Sequence, residues 1–237
     1  MQLFYNEHLN EETKEILFNK EESRHIVKVL RKKQGDTLYI TNGKGLLLTA
    51  EIIIESDKKC VANIVNIASK EKEWNYYLHV AIAPTKNIDR LEWFLEKATE
   101  IGIDEITPIL CQNSERKVVK KDRLQKIILA AMKQSLKFTV PKLNDLTKYS
   151  DFIAQQRDGN LFIAHCNEGD KTPLKSIDPT HQKITLLIGP EGDFSIPEVQ
   201  QAIQQKYTPI TLGTSRLRTE TAGIVAVHSI NFLNSMS

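Results

Sequence analysis

The chain has 237 residues, 41% of them apolar and 26% charged, with a formal net charge of +2. Those proportions are those of a globular protein and exclude a disordered or low-complexity chain. No apolar run approaches the ~20 residues a membrane helix needs. The start, Met1-Gln-Leu-Phe-Tyr-Asn-Glu7, lacks the basic and apolar segments of a signal peptide, so a cytoplasmic protein with no membrane partner is expected. Cys60, Cys111 and Cys166 are far apart and odd in number, which argues against a disulfide framework or a zinc cluster, and no metal is expected.

Residues 1–70 read as a separate, strand-rich unit. Glu21–Lys33 has helical spacing, with Ile26, Val29 and Leu30 on one side. Asn42-Gly43, flanked by β-formers on both sides, is a strong hairpin signal. Cys60–Ile67 supplies a further strand, and several short strands with one helix predict a small barrel. Arg24, Lys28, Arg31, Lys32 and Lys33 form a basic edge suited to phosphates, with His25 among them as a packed or capping residue. Residues 68–75 are polar and aperiodic and read as the linker.

From residue 74 to residue 237 strands and helices alternate. Tyr77–Ala83 is an apolar strand ended by Pro84. Asp89 is expected to cap a helix through Ile101, with a stripe of Leu91, Leu95 and Ala98. Ile106–Cys111 is the next strand, and Asp122 is expected to cap a second helix carrying Leu124, Ile127, Ile128, Ala131 and Leu136. Leu161–His165, Ile184–Ile188 and Ile210–Leu212 are further strands. Ser195-Ile-Pro-Glu198 is a capping box for the helix between the last two, and Thr221–Leu233 closes the chain as a helix. The alternation predicts an α/β domain with a mainly parallel sheet. Between Glu115 and Lys148 ten basic residues face three acids, a local charge of +7 that leaves the rest of the chain net negative. Arg116, Lys120 and Lys121 are the candidates there for phosphate contact, although a solvated helix face would carry the same charge.

Two glycine turns stand at the ends of the last apolar strands: Ile188-Gly-Pro-Glu-Gly-Asp193 and Leu212-Gly-Thr-Ser-Arg-Leu-Arg-Thr-Glu-Thr-Ala222. Glycine there lets backbone amides approach a ligand, and open parallel sheets bind ligands at their carboxyl ends. There is neither a G-x-x-x-x-G-K-[ST] nor a G-x-G-x-x-G pattern, and Glu191 and Asp193 would repel phosphates. A cationic adenosyl ligand such as S-adenosylmethionine suits the turns better: Leu187, Ile188, Leu212 and Leu217 offer an apolar slot beside the amides.

Gly189-Pro190-Glu191-Gly192 and Leu212-Gly213…Leu217-Arg218-Thr219-Glu220-Thr221-Ala222 resemble the two signature segments of the ribosomal small-subunit (16S) RNA uridine-N3 methyltransferase family, of the SPOUT class. His25-Ile-Val-Lys-Val-Leu-Arg31 resembles a segment of that family's amino-terminal PUA-like domain. Lys97-Ala-Thr-Glu-Ile-Gly102 and Gln134-Ser135 resemble two more of its segments. The resemblance implies a PUA-like RNA-binding β-barrel followed by a SPOUT α/β domain with a deep trefoil knot, a feature nearly absent from other folds. It also implies S-adenosylmethionine as cofactor, 16S ribosomal RNA of the small subunit as partner, and a homodimer.

The cofactor pocket implied by these segments comprises His165, Cys166, Leu187, Ile188, Gly189, Pro190, Glu191, Gly192, Leu212, Gly213, Ser215, Leu217, Arg218, Thr219 and Ala222. Uridine N3 becomes nucleophilic only when its proton leaves, so a base and positive charge near its carbonyl oxygens are needed. Arg218 is the candidate for stabilising that anion. Glu220 could position Arg218, take the proton, or serve only as a first-turn acid on the last helix. Arg216 is a candidate grip on the RNA backbone. Two departures stand out: Asp193 where the family commonly has a second glycine, and Leu136-Lys137 in place of a small residue and arginine. Two other functions remain open, a non-catalytic RNA-binding protein and a SPOUT methyltransferase acting on transfer RNA or another rRNA position.

Overall fold

The amino-terminal sheet is laid out around the turn at Asn42-Gly43. In the computed structural model, which describes residues 1–176 and 183–235, β1 (Leu3–Tyr5) runs parallel to β3 (Thr37–Thr41). Strand β3 turns into the antiparallel β4 (Leu46–Ile54), β4 pairs β5 (Val61–Ser69), and β5 pairs β2 (Glu15–Leu17). The order β1-β3-β4-β5-β2 makes a half-barrel around Phe4, Ile26, Ile40, Leu48 and Ile52.

The expected hairpin forms, but its loop is wider than two residues, because Thr41 pairs with Leu47. The Asn42 side-chain oxygen accepts from the amides of Lys44 and Leu46, at 2.8 and 3.2 Å. Gly43 and Gly45 take φ of +69° and +95°. The loop is further held by residues far along the chain: Gly45 N donates to Phe138 O and Val140 N to Gly43 O, both at 2.9 Å. Met132–Val140 thus belongs to the same compact unit as Met1–Lys72.

Helix α1 covers Lys20–Arg24, opened by the Asn19 side chain accepting from Glu22 N. It widens into a π turn over His25–Val29 and ends sooner than the spacing suggests. Lys32 N donates to Ile26 O at 3.0 Å and Arg31 takes φ +55°, a helix-stopping geometry usually given to glycine. The wide turn breaks the expected stripe, so Ile26 is fully buried while Val29 is 64% exposed. His25 packs edge-on against Phe4.

The second unit, Glu73–Ala131 with Pro141–Ser237, alternates as expected. Its elements run β6 (Tyr77–Ile82), α2 (Ile88–Ile101), β7 (Glu105–Leu110), α3 (Lys121–Gln134), β8 (Lys142–Leu143), β9 (Thr147–Lys148) and α4 (Tyr149–Ile153). After these come β10 (Asn160–Ala164), β11 (Thr172–Pro173), β12 (Lys183–Ile188), α5 (Ile196–Gln204), β13 (Thr208–Thr211) and α6 (Thr219–Ser235). The sheet order is β11-β13-β10-β12-β6-β7-β8, with β9 also on β7, and every pairing is parallel.

Two helix starts differ from expectation. The cap of α2 is Asn87, whose side chain accepts from Asp89 N, so Asp89 sits inside the first turn. Asp122 likewise lies within the first turn of α3. The Ser195–Glu198 capping box of α5 is present as read. Helix α6 packs closely on α2 because Gly223 faces Phe94: a Cβ there would lie 2.6 Å from its ring. Among the described residues no helix is long and apolar enough to cross a membrane.

Candidate active site

Strands β13, β10 and β12 are neighbours running in one direction, so their carboxyl-end loops converge. Between those loops lies a cleft of about 310 Å³. It is lined by Ala164, His165 and Cys166 at the end of β10, by Ile188, Gly189, Pro190, Glu191 and Asp193 at the end of β12, and by residues 210–213, 215–219 and 222 from the end of β13 into α6.

The first turn is closely built. A Cβ on Gly189 would lie 3.0 Å from the Phe194 ring, so the glycine lets Phe194 fold under the loop. Glu191 Oε1 accepts from Lys86 N at 2.8 Å, while its buried Oε2 has no hydrogen-bond partner among the described residues. The Lys86 loop is held from the other side by Arg116, which donates to Thr85 O at 2.9 Å and to Lys86 O at 2.6 Å.

Asp193 explains its own departure from glycine. It takes φ +62°, the left-handed region that glycine favours and that aspartate tolerates better than most residues. Its Oδ1 accepts from Phe194 N at 2.8 Å and its Oδ2 from Cys166 N at 2.7 Å. The carboxylate therefore fastens the β12 loop to the β10 loop, rather than standing free to repel an anion. Asn113 adds two bonds to the same turn, donating to Gly192 O and Asp193 O.

In the second turn Gly213 has φ +136° and open space where a Cβ would stand. Thr211 Oγ1 donates to Gly213 O at 2.8 Å, and Ala222 N donates to Arg218 O at 2.7 Å as α6 begins. Both ring nitrogens of His165 are buried without partners among the described residues. Burial, aided by the charge of Lys171, lowers its pKa and keeps the ring neutral.

Most of the expected pocket residues meet in this cleft, and two do not. Leu187 points into the core beside Ala81 and Phe194, because alternation along β12 turns only Ile188 to the cleft. Gly192 lies against Asn113 on the outside of the turn. Ala164, Ile210, Thr211 and Asp193 complete the wall. The strand-end positions of the first three were the only hint in the sequence.

Arg218 is exposed at the rim. Glu220 does not meet it through a hydrogen bond or ion pair. It is 6% exposed, with Oε1 3.7 Å from Arg90 Nε and Oε2 without a partner among the described residues. Of the candidate RNA contacts, Arg24, Lys28 and Arg31 are exposed on the first unit and Lys32 is half-buried. In the second unit Arg116 is half-buried, with its guanidinium engaged by the Thr85 and Lys86 carbonyls. Lys120 and Lys121 line an open groove with Arg123 and Lys126, Lys121 pairing with Asp145 at 3.0 Å, and Arg216 is exposed at the cleft. Among the described residues no group of His, Cys, Asp or Glu could hold a metal ion.

Comparison with known proteins agrees with this layout. Residues 72–231 match a family described as RNA methyltransferase domain, and residues 18–65 match the RNA methyltransferase PUA domain. The ribosomal RNA small subunit methyltransferase E of Bacillus subtilis is 27% identical over 225 residues, 90% of this chain and 88% of that protein. The crystal structure of a probable rRNA-methyltransferase from Porphyromonas gingivalis is 38% identical with a TM-score of 0.92, covering 100% of this chain and 99% of that one. A ribosomal RNA small subunit methyltransferase E from Neisseria gonorrhoeae, solved bound to S-adenosyl methionine, is 27% identical with a TM-score of 0.86 over 98% of both chains. The fold is accordingly a PUA-like unit followed by a SPOUT-type α/β domain.

Proposed function

This chain belongs to the RNA methyltransferase family, and from that premise we propose that it uses S-adenosylmethionine to methylate N3 of a uridine in the 16S RNA of the small ribosomal subunit. The observation that carries the reading is the cleft at the carboxyl ends of β10, β12 and β13, with Arg218 on its rim and Glu220 buried just beyond.

The residues present fit the donor. A cleft of about 310 Å³ matches a small-molecule site. Ile188, Ile210, Leu212 and Leu217 supply an apolar slot for the purine, and the neutral His165 offers unpartnered ring nitrogens beside it. Glu191, with one buried oxygen unanswered among the described residues, complements a cationic ligand. When bound, the donor supplies a methyl group made electrophilic by its sulfonium.

The chain's own residues prepare the acceptor. Arg218, exposed at the rim, brings a planar cation to the uracil oxygens on which the N3 anion's charge collects. Glu220, held near Arg90, accepts the N3 proton. Arg24, Lys28, Arg31 and Lys32 of the PUA-like unit, with Lys120, Lys121 and Arg216, meet RNA phosphates. We further assign the protein as a cytoplasmic homodimer; the half-exposed Phe232 on α6 supports a partner surface there.

The test is reconstitution. Small subunits from a strain lacking the modification are incubated with the protein and the methyl donor, and the RNA is digested for nucleoside mass spectrometry. N3-methyluridine should appear. A methyl group on another atom or base, or none despite donor binding, overturns the assignment.

A further inference from the structure

Beside the donor cleft lies a second one of about 610 Å³, and the two share Arg216, Leu217 and Arg218. Its other wall is the first turns of α2, with Asp89, Arg90 and Trp93. Trp93 is 43% exposed, whereas Leu91, Phe94 and Leu95 around it on the helix are fully buried. Its indole is therefore set at the cleft and not in the core.

Glu220 also lines this second cleft. A carboxylate oxygen that is buried without a donor is destabilising, and native sites commonly supply the donor from a ligand or an ordered water. Among the described residues Glu220 Oε2 is such an oxygen, with the Arg90 guanidinium beside Oε1 and Arg218 lining the same space. The cleft is thus lined by two cations and one carboxylate. Uracil presents the complement: a carbonyl, the N3–H donor and a second carbonyl. Cytosine does not, because its N3 is an acceptor and would face the carboxylate.

We propose that this cleft seats the target uracil, stacked on Trp93 with its N3–H directed to Glu220 Oε2. The inference rests on the reading of the chain as a uridine-N3 methyltransferase and adds where, and by which residues, the base is chosen. The N3 proton passes to Glu220 Oε2. The electron pair left on N3 takes up the donor's methyl group as the C–S bonding pair stays with sulfur, and the proton then leaves Glu220 to water. The cleft's continuity with the donor site through Arg216–Arg218 puts the base next to the methyl group it receives.

Trp93→Ala and Trp93→Phe test the seat. Stacking of a base on an aromatic ring corresponds to about a 5- to 150-fold effect on affinity, so Trp93→Ala should raise KM for unmodified small subunits by that factor, and Trp93→Phe should restore most of it. Calorimetric affinity for S-adenosylmethionine should be unchanged in both. In protein labelled with 5-fluorotryptophan, the ¹⁹F resonance that Trp93→Phe removes should shift on adding oligouridylate, and much less with oligocytidylate. The proposal fails if KM is unchanged, if neither oligonucleotide moves that resonance, or if both move it equally. It also fails if Trp93→Ala only dissociates a dimer, for then a second copy covers the cleft. Those failures leave the broader assignment standing, whereas loss of donor binding or methylation by the wild-type protein would remove that assignment itself.

Discussion

The bond pair at Asp193 makes a quantitative prediction. The residue offsets a left-handed backbone (φ +62°) with two amide bonds to its carboxylate, one of which joins the β10 loop to the β12 loop. Hydrogen bonds to a charged acceptor contribute about 1.5–3 kcal/mol each, and the half-exposed position puts these near the low end, ~3 kcal/mol for the pair. A non-glycine residue in the left-handed region costs about 1–2 kcal/mol more than glycine. Asp193→Ala loses both bonds and keeps the backbone cost, a destabilisation of about 3 kcal/mol. Asp193→Gly loses the bonds and regains ~1 kcal/mol from the backbone, leaving about 2 kcal/mol. Asp193→Asn keeps a neutral acceptor and should lie nearest the wild type. Urea unfolding midpoints at constant slope give the order wild type, Asn, Gly, Ala. A glycine variant as stable as the wild type would show that the carboxylate bonds contribute no more than the ~1 kcal/mol regained from the backbone, against the ~3 kcal/mol expected. Equal midpoints for glycine and alanine would show that the backbone cost is absent.

Three further outcomes are expected. Arg218→Ala should lower kcat by about 100-fold or more, with calorimetric donor affinity unchanged, the loss typical of removing one transition-state charge stabiliser; a change within about threefold would refute its role. Charge reversal at Lys120 and Lys121 should reduce the slope of log RNA affinity against log salt by about one unit for each phosphate no longer neutralised, and an unchanged slope would mean that the groove faces solvent only. Acid should unfold the protein in two overlapping windows. Burial lowers His79 from 6.5 to about 4, so the folded state keeps it neutral while the unfolded chain protonates, and stability falls as pH drops from 6.5 towards 4. For Glu105, burial acts upward, but hydrogen bonds from Tyr77, Asn144 and Lys142 outweigh it and bring the carboxyl to about 2. Its contribution is present above pH 4.5 and is lost below. Urea midpoints between pH 7 and 4.5 should therefore decline, and His79→Gln should flatten the upper part of that decline; parallel curves would contradict the assignment to His79.

What could be read from the chain was what local chemistry dictates. The β12 segment and its glycine turn stand out because an apolar run, a glycine and a capping box follow one another without interruption. The place of the cleft proposed for the donor was legible in that pattern and its repeat after β13. Partners set by long-range packing were hidden. Nothing local in Met132–Val140 says that it joins the amino-terminal sheet through Gly43 and Gly45. Arg116 read as one of ten basic residues, yet its guanidinium is engaged by two carbonyls of the loop after β6. Asn87 and Asp89 are both good caps two residues apart, and only the backbone path chose the first. The pairing of Glu220 with Arg90 instead of Arg218 depends on α6 lying against α2, which Gly223 permits by its lack of a side chain.

The most direct test is a crystal of the protein soaked with S-adenosylmethionine. The donor should lie at the carboxyl ends of β10, β12 and β13, with its adenosyl group between the Gly189 and Gly213 turns and its methyl group towards Arg218 and Glu220. A donor bound elsewhere on the chain, or density absent from this cleft at saturating concentration, would contradict the assignment.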